Sequence, residues 1–253
     1  MGGEQNQTQN AFIFLGKFIF IKMENYGNAM EYINKQETTN ISYVKVGSGN
    51  KKLIVSFACN GHTGFDRKTS LMKLKYQRNN FDVLYLRNQY KWYLGGLNGI
   101  GKNINHTIAF LKKEFAKYDQ ILCVGSSAGG HASLLFGSLL NVNFAIAINA
   151  QTDLQYCVDN IDPHNNHQRI QKQNLIKRSK QCPVTWSKYN KIVNVLNENV
   201  LYNVFYKGDA NSNNPYDLVV HGDYHYEQIK SFPNVTKVQA KGLGIIKFIN
   251  EAS

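Results

Sequence analysis

One stretch restricts the fold more than any other: Ile121-Leu-Cys-Val-Gly-Ser-Ser-Ala-Gly-Gly-His-Ala-Ser-Leu-Leu-Phe136. The apolar run Ile121 to Val124 has the composition of a strand buried on both faces. It ends in Gly125-Ser126-Ser127-Ala128-Gly129, and from Ala128 to Leu140 small residues give way to apolar ones at helical spacing. Strand, sharp turn and helix in that order make a G-x-S-x-G elbow with Ser127 at its tip. The turn holds the serine in a strained backbone conformation, and glycines flank it because larger side chains would strike the neighbouring backbone. The helix that starts there points free N–H groups at whatever sits on the serine. The pentapeptide alone is a weak signal; its setting between a buried strand and a helix strengthens it. A phosphate-binding loop is excluded, because no Gly-Lys-Ser/Thr follows.

At 253 residues the chain is long enough for one large α/β domain with a single sizeable core, and residues 1–253 are read as one domain. Residues 1–10 are polar and are expected to be disordered. The run Ala11 to Ile21 (AFIFLGKFIFI) is interrupted by Lys17 and too short to span a bilayer, so it reads as an edge strand or hairpin. No secretory leader is evident, and the four cysteines (Cys59, Cys123, Cys157, Cys182) lack metal-ligand spacing. Free thiols, a cytoplasmic location and neither metal nor cofactor are the expectation. The charge is strongly basic, 29 Lys plus Arg against 17 Asp plus Glu. Because the lysines are spread along the chain and no nucleic-acid motif occurs, nucleic acid is an unlikely partner. The densest cluster, Lys172 to Lys180, reads as solvated surface.

Apolar runs at 52–58, 81–86, 121–124 and 144–148 read as buried strands, the alternating stretch 41–46 suits another, and 201–206 and 235–239 complete the set. Helical patterns lie at 66–75, 103–117, 128–140, 186–196, 224–232 and 243–250. Strands alternating with helices imply a mostly parallel sheet covered on both faces. A polar insertion at 153–199 follows a strand's carboxyl end, where such sheets bind ligands, so it is placed to act as a cap.

A serine hydroxyl needs a base to take its proton, a carboxylate to orient that base, and donors for the oxyanion. The N–H of Ala128 is one donor; that of Cys59 or Asn60, in the loop after an early strand, is the other. His62 in the same loop is a candidate substrate contact, and the aromatic loop containing Trp92 and Tyr93 is another. In the order serine, acid, histidine, the acid belongs after the strand at 201–206, where Asp209 and Asp217 lie; Asp153 is the lesser candidate. The base belongs after the last strand, but Ala240-Lys241-Gly242-Leu243-Gly244 holds no histidine. That leaves His225, and after it His221, as the proton shuttle, while His131, one turn beyond Ser127, reads as a packing residue.

The runs KLIVSFACNGHTGFDR, WYLGGLNGIG and ILCVGSSAGGHASLLFGSLLNVNFAIAINAQTDL resemble the α/β-hydrolase-like proteins of polysaccharide-biosynthesis loci. The likeness spans about 52 to 155 and returns in His225-Tyr-Glu-Gln-Ile-Lys-Ser-Phe-Pro-Asn-Val235. It implies an α/β-hydrolase-like three-layer sandwich and serine esterase or acyltransferase chemistry on an acylated glycan or small ester. It also implies Ser127 as nucleophile, a carboxylate near Asp217 and a Gly-His pair before the final helix. Here that pair reads Gly242-Leu243. The departure opens an alternative: a catalytically inactive hydrolase-fold protein that binds a glycan or a protein partner.

Overall fold

The computed structural model describes residues 26–47, 49–59, 64–88, 92–161, 166–206, 222–238 and 243–250. Among them seven strands form one sheet: β1 (Tyr43–Val46), β2 (Lys52–Phe57), β3 (Asp82–Leu86), β4 (Gln120–Ser126), β5 (Phe144–Ile148), β6 (Leu201–Phe205) and β7 (Val235–Lys237), in the order β1-β3-β2-β4-β5-β6-β7. All pairings are parallel except β1 with β3. The strands expected from the apolar runs are found, most within a residue or two of their predicted ends.

The side chains show why the runs are continuous rather than alternating. Leu53, Val55 and Phe57 of β2 join Cys123, Ala145 and Val204 in one core. Ile54 of the same strand joins Leu122, Val124 and Ile146 in a second core on the opposite face. A sheet buried on both faces needs apolar residues at every position, whatever the side-chain period. The edge strand β1 instead alternates half-buried and buried positions.

The first core lies under α3 (Ile104–Phe115), α4 (Ala128–Leu139) and the helices of the insertion: α5 (Leu154–Asn160), α6 (Asn166–Gln181) and α7 (Pro183–Tyr189). The second lies under α1 (Tyr26–Glu37), α2 (Lys68–Arg78) and α9 (Leu243–Asn250), while α8 (Asp223–Glu227) precedes β7. The insertion is thus largely helical. The helix expected over 186–196 is α7 followed by a 3-10 turn at Ile192–Asn194, because Pro183 opens the helix earlier and Tyr189 closes it. Helix α1 was not legible in the sequence. Its carboxyl end is held by Arg87, a buried residue whose guanidinium donates to the carbonyls of Gln36, Glu37, Thr39 and Ile41. The expectations for residues 1–10 and 11–21 fall outside the described residues.

From β2 the chain steps to β3 on one side and then crosses back to β4 on the other. Chain direction diverges at the carboxyl ends of β2 and β4, and there an open parallel sheet leaves a crevice. Cys59 and Ser127 lie just beyond those ends.

Candidate active site

Ser127 follows the last residue of β4 and precedes the first residue of α4. Its backbone sits at φ 52° and ψ −121°. That is the first corner of a type II′ turn, where glycine is the ordinary occupant. Its amide donates to the Ile148 carbonyl at 2.8 Å, which ties the turn to β5. Close approach of α4 to the sheet explains the glycines. A methyl group on Gly125 would overlap the Gly129 carbonyl, and one on Gly129 would overlap the Phe57 carbonyl of β2. Ala128, at the first helical position, carries one of the N–H groups that a helix leaves unpaired.

The Ser127 hydroxyl has an unexpected partner. The Gln151 side-chain amide donates to Ser127 Oγ at 3.1 Å, with its Oε1 at 3.4 Å. Gln151 is fully buried on the segment that leaves β5, and its carbonyl accepts from His131 Nδ1 at 2.7 Å. A carbonyl acceptor puts the imidazole proton on Nδ1. Burial pulls the His131 pKa down to about 4, against the opposing pull of the Gln151 and Tyr189 backbone and of Asp153. His131 is therefore a neutral packing residue, as its position one turn into the helix predicted.

His225 is completely buried beside the next residue of the same segment. The Thr152 amide donates to His225 Nδ1 at 3.2 Å, and the Thr152 hydroxyl donates to the His225 carbonyl at 2.9 Å. That leaves the ring proton on Nε2, 3.7 Å from Cys157 Sγ. Serine and histidine are thus brought to one sheet edge and joined through Gln151-Thr152, while both imidazole nitrogens have partners other than Ser127.

The early-strand loop is held differently. The Cys59 amide donates to Asp66 Oδ2 at 2.8 Å. Burial, reinforced by the Asp66 charge, pushes the Cys59 thiol up to about 12. Next to it Arg67, at φ 60°, donates from Nη2 to Ser126 Oγ at 2.8 Å. Burial lowers the Arg67 pKa, while Asp66 raises it.

No protein-family model matches the chain, and no curated protein matches it significantly. Solved structures do. Esterase B from Lactobacillus rhamnosis aligns with a TM-score of 0.51 and 11% identity, over 84% of this chain and 82% of that one. Fluorophosphonate-binding serine hydrolase F of Staphylococcus aureus aligns with a TM-score of 0.50 and 11% identity, over 84% of this chain and 100% of that one. A glycosylation-associated protein complex (Gap123) from Streptococcus agalactiae aligns at 0.49 and 14% identity, over 82% of this chain; the chain spans only 43% of that one. The fold is α/β-hydrolase-like.

In an α/β-hydrolase the elbow strand corresponds to β4, the acid follows β6 and the histidine follows β7. Asp209, Asp217 and His221 follow β6 and lie outside the described residues, as do Asn60 and His62. Asp153 caps α5, accepting from the Tyr156 amide at 2.9 Å and pairing with Lys191 at 3.2 Å, which is the part of a helix cap. Trp92 and Tyr93, expected to meet substrate, are core residues, each 1% exposed. The Tyr93 hydroxyl bonds the carbonyls of Ala58 and Leu86, and its ring meets Phe57 and Phe136 edge-on. The Cys59 amide, expected as a possible oxyanion donor, is instead spent on Asp66. Gln151 carried no signal in the sequence, because its contact with Ser127 exists only once β4 and β5 are paired.

Proposed function

We propose that the protein is a serine-dependent α/β-hydrolase-fold enzyme, an esterase or acyltransferase acting on an acylated glycan or a related small ester. The observation that carries this reading is the backbone of Ser127, held at φ 52° and ψ −121° on the amino end of α4. Strain of that kind persists where the surrounding structure over-determines it, and it clusters at active sites. In the proposed reaction Ser127 Oγ attacks the ester carbonyl, and the amide of Ala128, with that of Asn60, receives the oxyanion. A carboxamide takes no proton at neutral pH, so Gln151 holds the hydroxyl without activating it. His225 is the proposed base, oriented by Asp217 or Asp209, and must exchange Thr152 for Ser127 to act. The acyl group then passes to water or to a sugar hydroxyl, with His62 contacting the substrate and the insertion at 153–199 closing over it. A cytoplasmic setting belongs to the same proposal.

The test is a fluorophosphonate probe on the full chain. Labelling of the wild type that is absent in Ser127→Ala supports the proposal. A folded wild type that stays unlabelled overturns it.

The bond between Ser127 and Gln151, together with the engagement of both His225 nitrogens elsewhere, favours a second reading. In it the fold is retained without turnover, as a binder of a glycan or protein partner. Ester hydrolysis that depends on both Ser127 and His225 would remove it.

A further inference from the structure

The insertion carries a feature that the site chemistry does not use. Between residues 163 and 197 the sequence has Arg169, Lys172, Lys177, Arg178, Lys180, Lys188 and Lys191, and no aspartate or glutamate. Helix α6 turns Gln168, Gln171 and Leu175 inward. Among the exposed positions, Arg169, Gln173, Lys177 and Lys180 recur at i, i+4, i+8 and i+11 and so share one outer face, with exposed Ile170 next to Arg169 at its border. Helix α7 begins two residues after α6 ends and leaves Val184 and Lys188 exposed. Among the described residues, Lys191 pairs with Asp153, while Lys177 and Lys180 form no ion pair. Two aliphatic side chains stand out of this basic field: Ile170 is 48% exposed and Val184 81% exposed.

We propose that the outer face of α6 and α7 docks the protein onto an anionic lipid surface. Headgroup phosphates meet the lysines and Arg169, and the interfacial acyl region takes Ile170 and Val184. An anionic polymer would satisfy the charges but leave both aliphatic tips in water. No helix among the described residues is long and apolar enough to cross a membrane, so the contact is peripheral. The insertion leaves the carboxyl end of β5, the same sheet edge that holds Ser127. Docking is independent of whether Ser127 is active.

The experiment is flotation of the full chain with vesicles of phosphatidylcholine alone, or with about a quarter phosphatidylglycerol. Recovery with the anionic vesicles only, falling as salt rises, is expected. Lys177→Gln with Lys180→Gln should weaken binding about 25-fold, at roughly fivefold per lysine. Ile170→Ser with Val184→Ser keeps every charge and should still weaken binding several-fold. All four side chains are exposed, so both variants should keep the wild-type circular dichroism. Equal recovery with neutral vesicles, or none with anionic ones, overturns the proposal. Undiminished binding by the Ile170→Ser, Val184→Ser variant also overturns it, in favour of a polyanion that reads charge alone.

Discussion

Replacing Ser127 by glycine should stabilise the protein relative to replacing it by alanine. Both substitutions remove the hydroxyl and its bond to Gln151, so that loss cancels in the comparison. What remains is the backbone at φ 52° and ψ −121°. An L-residue held there stores about 1–3 kcal/mol, which glycine releases. Against this, glycine gives the unfolded chain more freedom, which costs about 0.4–1 kcal/mol. The net is about 1 kcal/mol in favour of Ser127→Gly, or roughly 2–4 °C in Tm for a chain near this size. At an ordinary helical or extended position the sign is reversed and alanine is the more stable choice. Differential scanning calorimetry of the two variants, backed by urea unfolding, reads the difference directly. An alanine variant as stable as the glycine variant, or more so, would refute the strained elbow and the functional reading built on it.

Gly129→Ala should cost about 3 kcal/mol or more in urea unfolding, because its methyl group meets the rigid carbonyl of Phe57. Gly137→Ala on the same helix should be nearly neutral: its nearest neighbour, Ala145 Cβ, is 3.0 Å away, and the mild crowding is offset by about 1 kcal/mol of helix propensity. His131, with its pKa lowered by burial to about 4, stays neutral in the fold while the unfolded ring titrates near its ordinary value of 6.5. The unfolded state therefore binds the extra proton, and stability should be complete above about pH 6.5 and fall by about 3 kcal/mol on acidification towards pH 4. His131→Asn, which keeps a donor near Nδ1, should flatten that slope in urea titrations at stepped pH. Arg87→Lys should lower stability by about 2–4 kcal/mol, since one ammonium cannot replace a guanidinium fork spread over four carbonyls. A thermal melt within a degree or so of wild type would show that the grip on α1 matters little.

The inner strands β2 to β5 were legible because each is a run of apolar residues whose meaning is local. Ile121 to Val124 can hardly be anything but a buried strand, and Gly125 and Gly129 mark the turn after it. Helix α6 was hidden for the opposite reason: NHQRIQKQNLIKRSKQ offers few apolar residues to mark a period, and its inner face is partly Gln168 and Gln171. Trp92 and Tyr93 misled because a glycine-rich aromatic loop looks exposed. The structure turns both inward at positive φ, with the Tyr93 amide bonded to Asn88 Oδ1 at 2.8 Å.

The elbow needed only its own residues. Backbone conformation, the glycines that permit close approach and the start of α4 all follow from forces acting across a few neighbours in the chain. What faces the serine was decided elsewhere. Gln151 and Thr152 arrive from β5, and His225 from the helix before β7, and their hydrogen bonds form only when parallel pairing stacks those strand ends side by side. Parallel sheets join residues far apart in sequence, so the nucleophile could be read from one strand and turn, whereas its immediate partners depended on the assembled sheet.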